Sequence, residues 1–100
     1  MIRHLVMWTL KEHADGADRE ANARRVRDAL EACRGAVPGM GAFEVGLAQP
    51  GLEASHDVAL VAEFESREAL AAYQSHPAHL AVKELLGRVR ESRVVMDYEV

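Results

Sequence analysis

Ile2-Arg3-His4-Leu5-Val6-Met7-Trp8-Thr9-Leu10 is the stretch that decides the fold. Ile2, His4, Val6, Trp8 and Leu10 alternate with Arg3, Leu5, Met7, Thr9 and Lys11, and a period of two predicts a β-strand. Both faces are partly apolar, because Leu5 and Met7 oppose Val6 and Trp8. A sheet with one solvated face would carry polar residues there. The strand therefore belongs to a sheet that needs cover on both sides.

Working outward, Glu12 to Gly16 reads as a polar turn, and Asp15 or Asp18 can cap the helix that follows. Val26, Ala29, Leu30 and Cys33 recur at helical spacing, which predicts a helix over residues 18–34 with Gly35 at its C-terminus and Pro38 just beyond. A second strand is expected from Ala42 to Ala48, with Phe43, Val45 and Leu47 on one face. A third runs from Asp57 to Glu65, with Val58, Leu60, Ala62 and Phe64 facing one way. Ser66 caps a short helix holding Ala69, Leu70 and Tyr73. Pro77 restricts His76 and breaks or re-aims that helix, and Leu80, Leu85, Leu86 and Val89 continue an apolar stripe. Arg93 to Val100 alternates again and closes the chain with a strand.

The order β-α-β-β-α-β predicts an α+β, ferredoxin-like fold, one domain over residues 1–100, with the helices on one face of an antiparallel sheet. The other face shows Leu5, Met7 and Val61. That patch is too large for a comfortable monomer, and a second copy of the chain is the simplest cover.

Composition excludes several classes of partner. The net charge is −4, so a nucleic-acid surface is not expected, and five aromatic residues are too few for a base-stacking platform. Arg19, Arg24, Arg25 and Arg27 cluster, but flanking acids make them a solvated helix face. No stretch of about 18 apolar residues exists to cross a membrane. Cys33 is the only cysteine and cannot form an intrachain disulfide. With no signal-peptide pattern at the start, a cytoplasmic location is expected.

The chemistry concentrates at Tyr73 and His76-Pro77-Ala78-His79. Imidazole moves protons near neutral pH, and a phenol can donate to a developing oxyanion. The same residues also read as structure: Pro77 after His76 is an ordinary helix start, and Tyr73 lies on the apolar stripe of Ala69 and Leu70. His76 and His79 stand three apart, but no cysteine joins them, and no metal is expected. Cys33, on an apolar stripe, is expected to pack rather than react.

Several stretches resemble the stress-response A/B barrel (Dabb) family of dimeric α/β barrels. They are Ile2 to Trp8, Glu63-Phe64-Glu65-Ser66, the Tyr-x-x-His-Pro-x-His segment from Tyr73 to His79, and the terminal Asp97-Tyr98. The resemblance implies a homodimer whose two sheets pack as a barrel. The family includes plant polyketide cyclases of the olivetolic acid cyclase type, which close rings by aldol chemistry without a cofactor. Carried over residue by residue, it implies His79 as the catalytic base, Tyr73 as its oxyanion donor and Asp97 as the group that orients His79. His4 then belongs to the substrate pocket. Val6, Trp8, Val26, Leu30 and Leu60 are expected to line it, with Val26 and Leu30 standing where the cyclases carry aromatic residues.

Two functions follow from the resemblance. One is a cofactor-independent acid–base enzyme acting on a small carbonyl compound. The other is a non-catalytic stress-response protein that binds a small apolar ligand. A monooxygenase of the dimeric α/β-barrel group ranks behind both, since fold analogy alone supports it.

Overall fold

The computed structural model describes residues 1–100. In chain order the elements are β1 (Ile2–Leu10), β2 (His13–Ala14), β3 (Ala17–Asp18), α1 (Arg19–Glu31), β4 (Met40–Leu47), β5 (Val58–Phe64), α2 (Arg67–Ser75), α3 (Pro77–Val89) and β6 (Arg90–Glu99). The four long strands form one sheet in the order β4-β5-β1-β6, with every neighbouring pair antiparallel. This is the ferredoxin-like plan, with α2 and α3 together taking the place of the second helix.

The caps explain where the helices start. Asp18 accepts a bond from the Ala21 N–H at 2.8 Å, and Ser66 accepts one from the Ala69 N–H at 3.1 Å. His76 ends α2 and caps α3: its backbone is extended, and its Nδ1 accepts the Ala78 N–H at 3.0 Å. Pro77 occupies the first turn of α3, where its missing N–H costs nothing. The chain thus re-aims at His76-Pro77 and presents a new helical face toward the sheet.

Several elements differ from the sequence expectation, β4 among them, which begins at Met40 rather than Ala42. The helix α1 ends at Glu31 rather than residue 34, because the chain turns at residues 32–35 and Gly35 takes a left-handed φ of 71°. The strand β6 begins at Arg90 rather than Arg93, directly after α3. Its first residues, Arg90-Glu91-Ser92, carry no apolar alternation to announce a strand. The polar turn after β1 is a small hairpin, β2 paired with β3. Its tip is Asp15-Gly16, both with positive φ, a dipeptide suited to a tight hairpin turn. The buried Asn22 fastens it to α1 by donating to the Ala14 and Ala17 carbonyls at 2.9 and 3.4 Å.

One face of the sheet lies under the helices. Val6, Trp8 and Leu10 of β1 are buried there with Val58, Leu60 and Phe64 of β5 and Val26 and Leu30 of α1. Each large apolar side chain so buried contributes roughly 1.5–3 kcal/mol. The opposite face is bare. Leu5 pairs with Val61 and Met96, and Met7 with Ala59 and Val94. Met7, Val61, Val94 and Met96 are 41–63% exposed, so the second apolar face of β1 has no cover within the chain.

Candidate functional site

A cavity of about 390 Å³ lies between the helices and the β1–β6 side of the sheet. The strand β1 supplies His4, Val6 and Trp8, while α1 supplies Leu30 and β5 supplies Leu60. Tyr73 and Gln74 come from the end of α2. The helix α3 contributes His79, Val82, Lys83 and Leu86, and β6 contributes Arg90 and Arg93. The walls are therefore mainly apolar, with a few polar groups converging, as in small-molecule sites generally.

Tyr73 sits at the centre of an aromatic cluster and is fully buried. Its ring centroid lies 4.5 Å from that of His79, 5.2 Å from Phe64 and 6.3 Å from His4. Its hydroxyl has no hydrogen-bond partner within the protein. Burial pushes the phenol above its ordinary range, so the hydroxyl keeps its proton and remains a donor.

The expected pairing of Asp97 with His79 does not occur. The carboxylate of Asp97 accepts from the Nδ1–H of His4 instead. The reason is register: Asp97 stands directly opposite His4 across the β1–β6 pair, and cross-strand partners point to the same face. This bond fixes the His4 tautomer and leaves Nε2 as its free ring nitrogen on the cavity wall. Asp97 and Val95 lie on the helix side, with Met96 and Tyr98 on the bare face.

His79 has no carboxylate partner. Its Nδ1 is buried without a partner. Its pKa is pushed down to about 4, mainly because burial penalises the charged ring, with Lys83, His4 and Arg93 adding repulsion. The ring is neutral at physiological pH, hence a weak base but still an N–H donor.

This shift has a sign that can be tested. A proton bound by unfolded His79 near its ordinary pKa of 6.5 is refused by the folded protein until about 4. The unfolded state therefore binds more protons in that window, and stability contributed by neutral His79 is lost as pH falls through it. The loss reaches about 2–3 kcal/mol near pH 4. The stability advantage of wild type over His79→Gln should shrink by that amount between about pH 7 and pH 4, measured by urea unfolding. A gap that does not change with pH would show that His79 titrates normally.

The other expected residues divide. Val6, Trp8, Leu30 and Leu60 line the cavity. Val26 does not: it is fully buried among core side chains, one helical turn before Leu30. His76 is used as a helix cap and is not part of the wall. Cys33 is buried, its thiol 3.6 Å from the Ala29 carbonyl, and burial pushes its pKa up. Sequence reasoning missed Gln74, Val82, Lys83, Leu86, Arg90 and Arg93. A signal existed for some of them. His79, Val82, Lys83 and Leu86 follow the i, i+3, i+4, i+7 spacing of one helix face, and Arg93 shares strand parity with Asp97.

Fold and site together define a ferredoxin-like α+β domain with a mainly apolar cavity under its helices, into which a few polar groups converge, and an apolar sheet face left bare. The chain belongs to the stress responsive A/B barrel (Dabb) family, whose model matches residues 2–100. Among solved structures it is similar to a dimeric ferredoxin-like protein from Bacteroides fragilis, with 29% identity and a TM-score of 0.79, covering 99% of this chain and 95% of the other. It is also similar to a Dabb family protein from Mesorhizobium loti, with 28% identity, a TM-score of 0.73 and coverage of 99% and 95%. The hydroxynitrile lyase of Passiflora edulis shares the fold, at 19% identity and a TM-score of 0.74, over 99% of this chain and 92% of that one. Comparison with curated proteins found no match. No helix of the chain is long and apolar enough to cross a membrane.

Proposed function

We propose that this protein is a cofactor-independent acid–base catalyst that removes a proton next to a carbonyl group, as an aldol-type cyclase must. The observation that carries the reading is the His4–Asp97 contact on the wall of a cavity that also holds Tyr73 and His79. A carboxylate on Nδ1 makes Nε2 the proton acceptor and balances the charge that forms on the ring. His4 is thus the base, in place of the His79 expected from sequence. Tyr73, held protonated, donates to the carbonyl oxygen as the enolate forms. His79, held neutral, supplies a second N–H donor to that oxygen. The apolar walls of Val6, Leu30 and Leu60 hold the body of the substrate and exclude water.

The test is deuterium exchange at the α-carbon of a simple 1,3-diketone in D₂O, followed by NMR. Wild-type protein should accelerate exchange well above buffer. Binding of the diketone with no acceleration would leave a ligand-binding protein and end the catalytic reading. Tyr73→Phe should slow exchange by about 10²–10³-fold, the usual loss for one oxyanion donor. It should also stabilise the ligand-free fold by about 1 kcal/mol, because a buried hydroxyl without a partner is removed. Thermal melts of the two proteins check the second part. A Tyr73→Phe protein that is both less stable and fully active would mark the hydroxyl as structural.

A further inference from the structure

We infer that the β6 side of the cavity is an oxyanion site, and that the ligand is an apolar body ending in a carboxylate or phosphate monoester. The inference rests on the cavity being a ligand site, as proposed above, but does not require that the site be catalytic.

Three cations border the cavity: Lys83 from α3, and Arg90 and Arg93 from β6. No Asp or Glu lines it. This is unusual in a chain of net charge −4, where acids outnumber Lys and Arg by 16 to 12. Arg3, Arg25, Arg27, Arg34, Arg67 and Arg88 all lie against carboxylates elsewhere on the surface. Lys83, Arg90 and Arg93 take part in no such pair, and of the other cations without one, Lys11, Arg19 and Arg24, none lines the cavity. Asp97, which shares a face with Arg93, is already committed to His4. The three are exposed, so they stand at the mouth of the cavity, while Val6, Leu30 and Leu60 are buried behind them. Positive charge around a low-dielectric cleft concentrates its field there and draws in anions.

A second observation points the same way. Trp8 lies directly opposite Arg93 across the β1–β6 pair. It is 4% exposed, and its indole N–H has no acceptor within the protein. Indole N–H is a donor only, so what it lacks is an acceptor. An oxyanion held by the Arg93 fork would add acceptor oxygens on that wall. The repulsion that Lys83 and Arg93 exert on a charged His79 reports the same positive field from within the cavity.

Trp8 is the only tryptophan, so its fluorescence reports occupancy directly. The full chain should be titrated with octanoate, octyl phosphate and 1-octanol, three ligands with one apolar tail. Either oxyanion should bind about tenfold tighter than the alcohol at low salt. The tighter of the two identifies the head group. Raising ionic strength from roughly 0.01 M to 1 M should bring the oxyanions down to the affinity of the alcohol. In the double variant Lys83→Met/Arg93→Gln the preference should vanish, the two oxyanions binding no tighter than 1-octanol does to the same variant. Equal affinity for all three ligands, a preference that survives in the double variant, or no binding by any of them would overturn the inference. Diketone exchange without an oxyanion preference would leave the catalytic proposal standing alone. The preference without exchange would do the reverse.

Discussion

Asp97→Asn is expected to slow α-proton exchange by about 10³–10⁴-fold while leaving the fold unchanged. In the wild type, the carboxylate of Asp97 can only accept, so the His4 hydrogen sits on Nδ1 and the lone pair on Nε2. An asparagine amide can donate to Nδ1 instead. The hydrogen then moves to Nε2, which can no longer take a proton from the substrate. Any imidazolium that did form would lack a negative partner. The fold has little reason to change, because the Asp97 side chain is about one-third exposed and the amide keeps one hydrogen bond. NMR-detected exchange on the 1,3-diketone measures the rate, and circular dichroism checks the fold. His4→Ala should be comparably impaired. His79→Ala should lose only about 10²-fold, as expected for a donor rather than the base. Full activity in Asp97→Asn with complete loss in His79→Ala would return the base to His79.

The second large effect is expected on assembly. The wild type is expected to be a dimer, and Val61→Glu should convert it to monomer, a change of about 3–5 kcal/mol. Val61 lies in the middle of the bare face, paired with Leu5 on one side and Glu44 on the other. At 41% exposure it can carry a solvated carboxylate in a single protomer. Under a second sheet the same carboxylate would be buried without a cation and beside Glu44. Sedimentation equilibrium distinguishes the two states. A wild-type protein already monomeric at micromolar concentration would show that something other than a second copy covers this face. The similar structure from Bacteroides fragilis is described as dimeric.

How far the residues alone reach can be seen at β1. Its period of two, apolar on both sides, is sufficient to require a sheet covered on both faces, and the order of elements then puts the helices on one of them. Local rules also locate Ser66 as a cap, narrow the other cap to Asp15 or Asp18, and mark Pro77 as the start of a new helix, because capping and proline geometry act within a few residues. The hairpin at residues 13–18 is equally local, and Asp15-Gly16 is a fair signal for it. It went unread because strands of two residues carry no period. The resemblance to the family supplies four candidates as a set, His4, Tyr73, His79 and Asp97, of which the first three line the cavity and Asp97 bonds to His4.

Partner choice within that set belongs to the tertiary structure alone. Asp97 and His4 are 93 residues apart, and nothing in either segment says that they face each other. The antiparallel register of β1 against β6 brings them together, and a slip of one residue would turn Asp97 to the open face. The low pKa of His79 is likewise a property of packing, since it arises from burial and from Lys83 and Arg93, which come from two different elements. Sequence determined which groups were available and which elements carried them, because propensity, capping and alternation are short-range. The closure of the sheet decided which imidazole received the carboxylate and which was left neutral, because hydrogen bonding and desolvation depend on distances that exist only once the strands have paired.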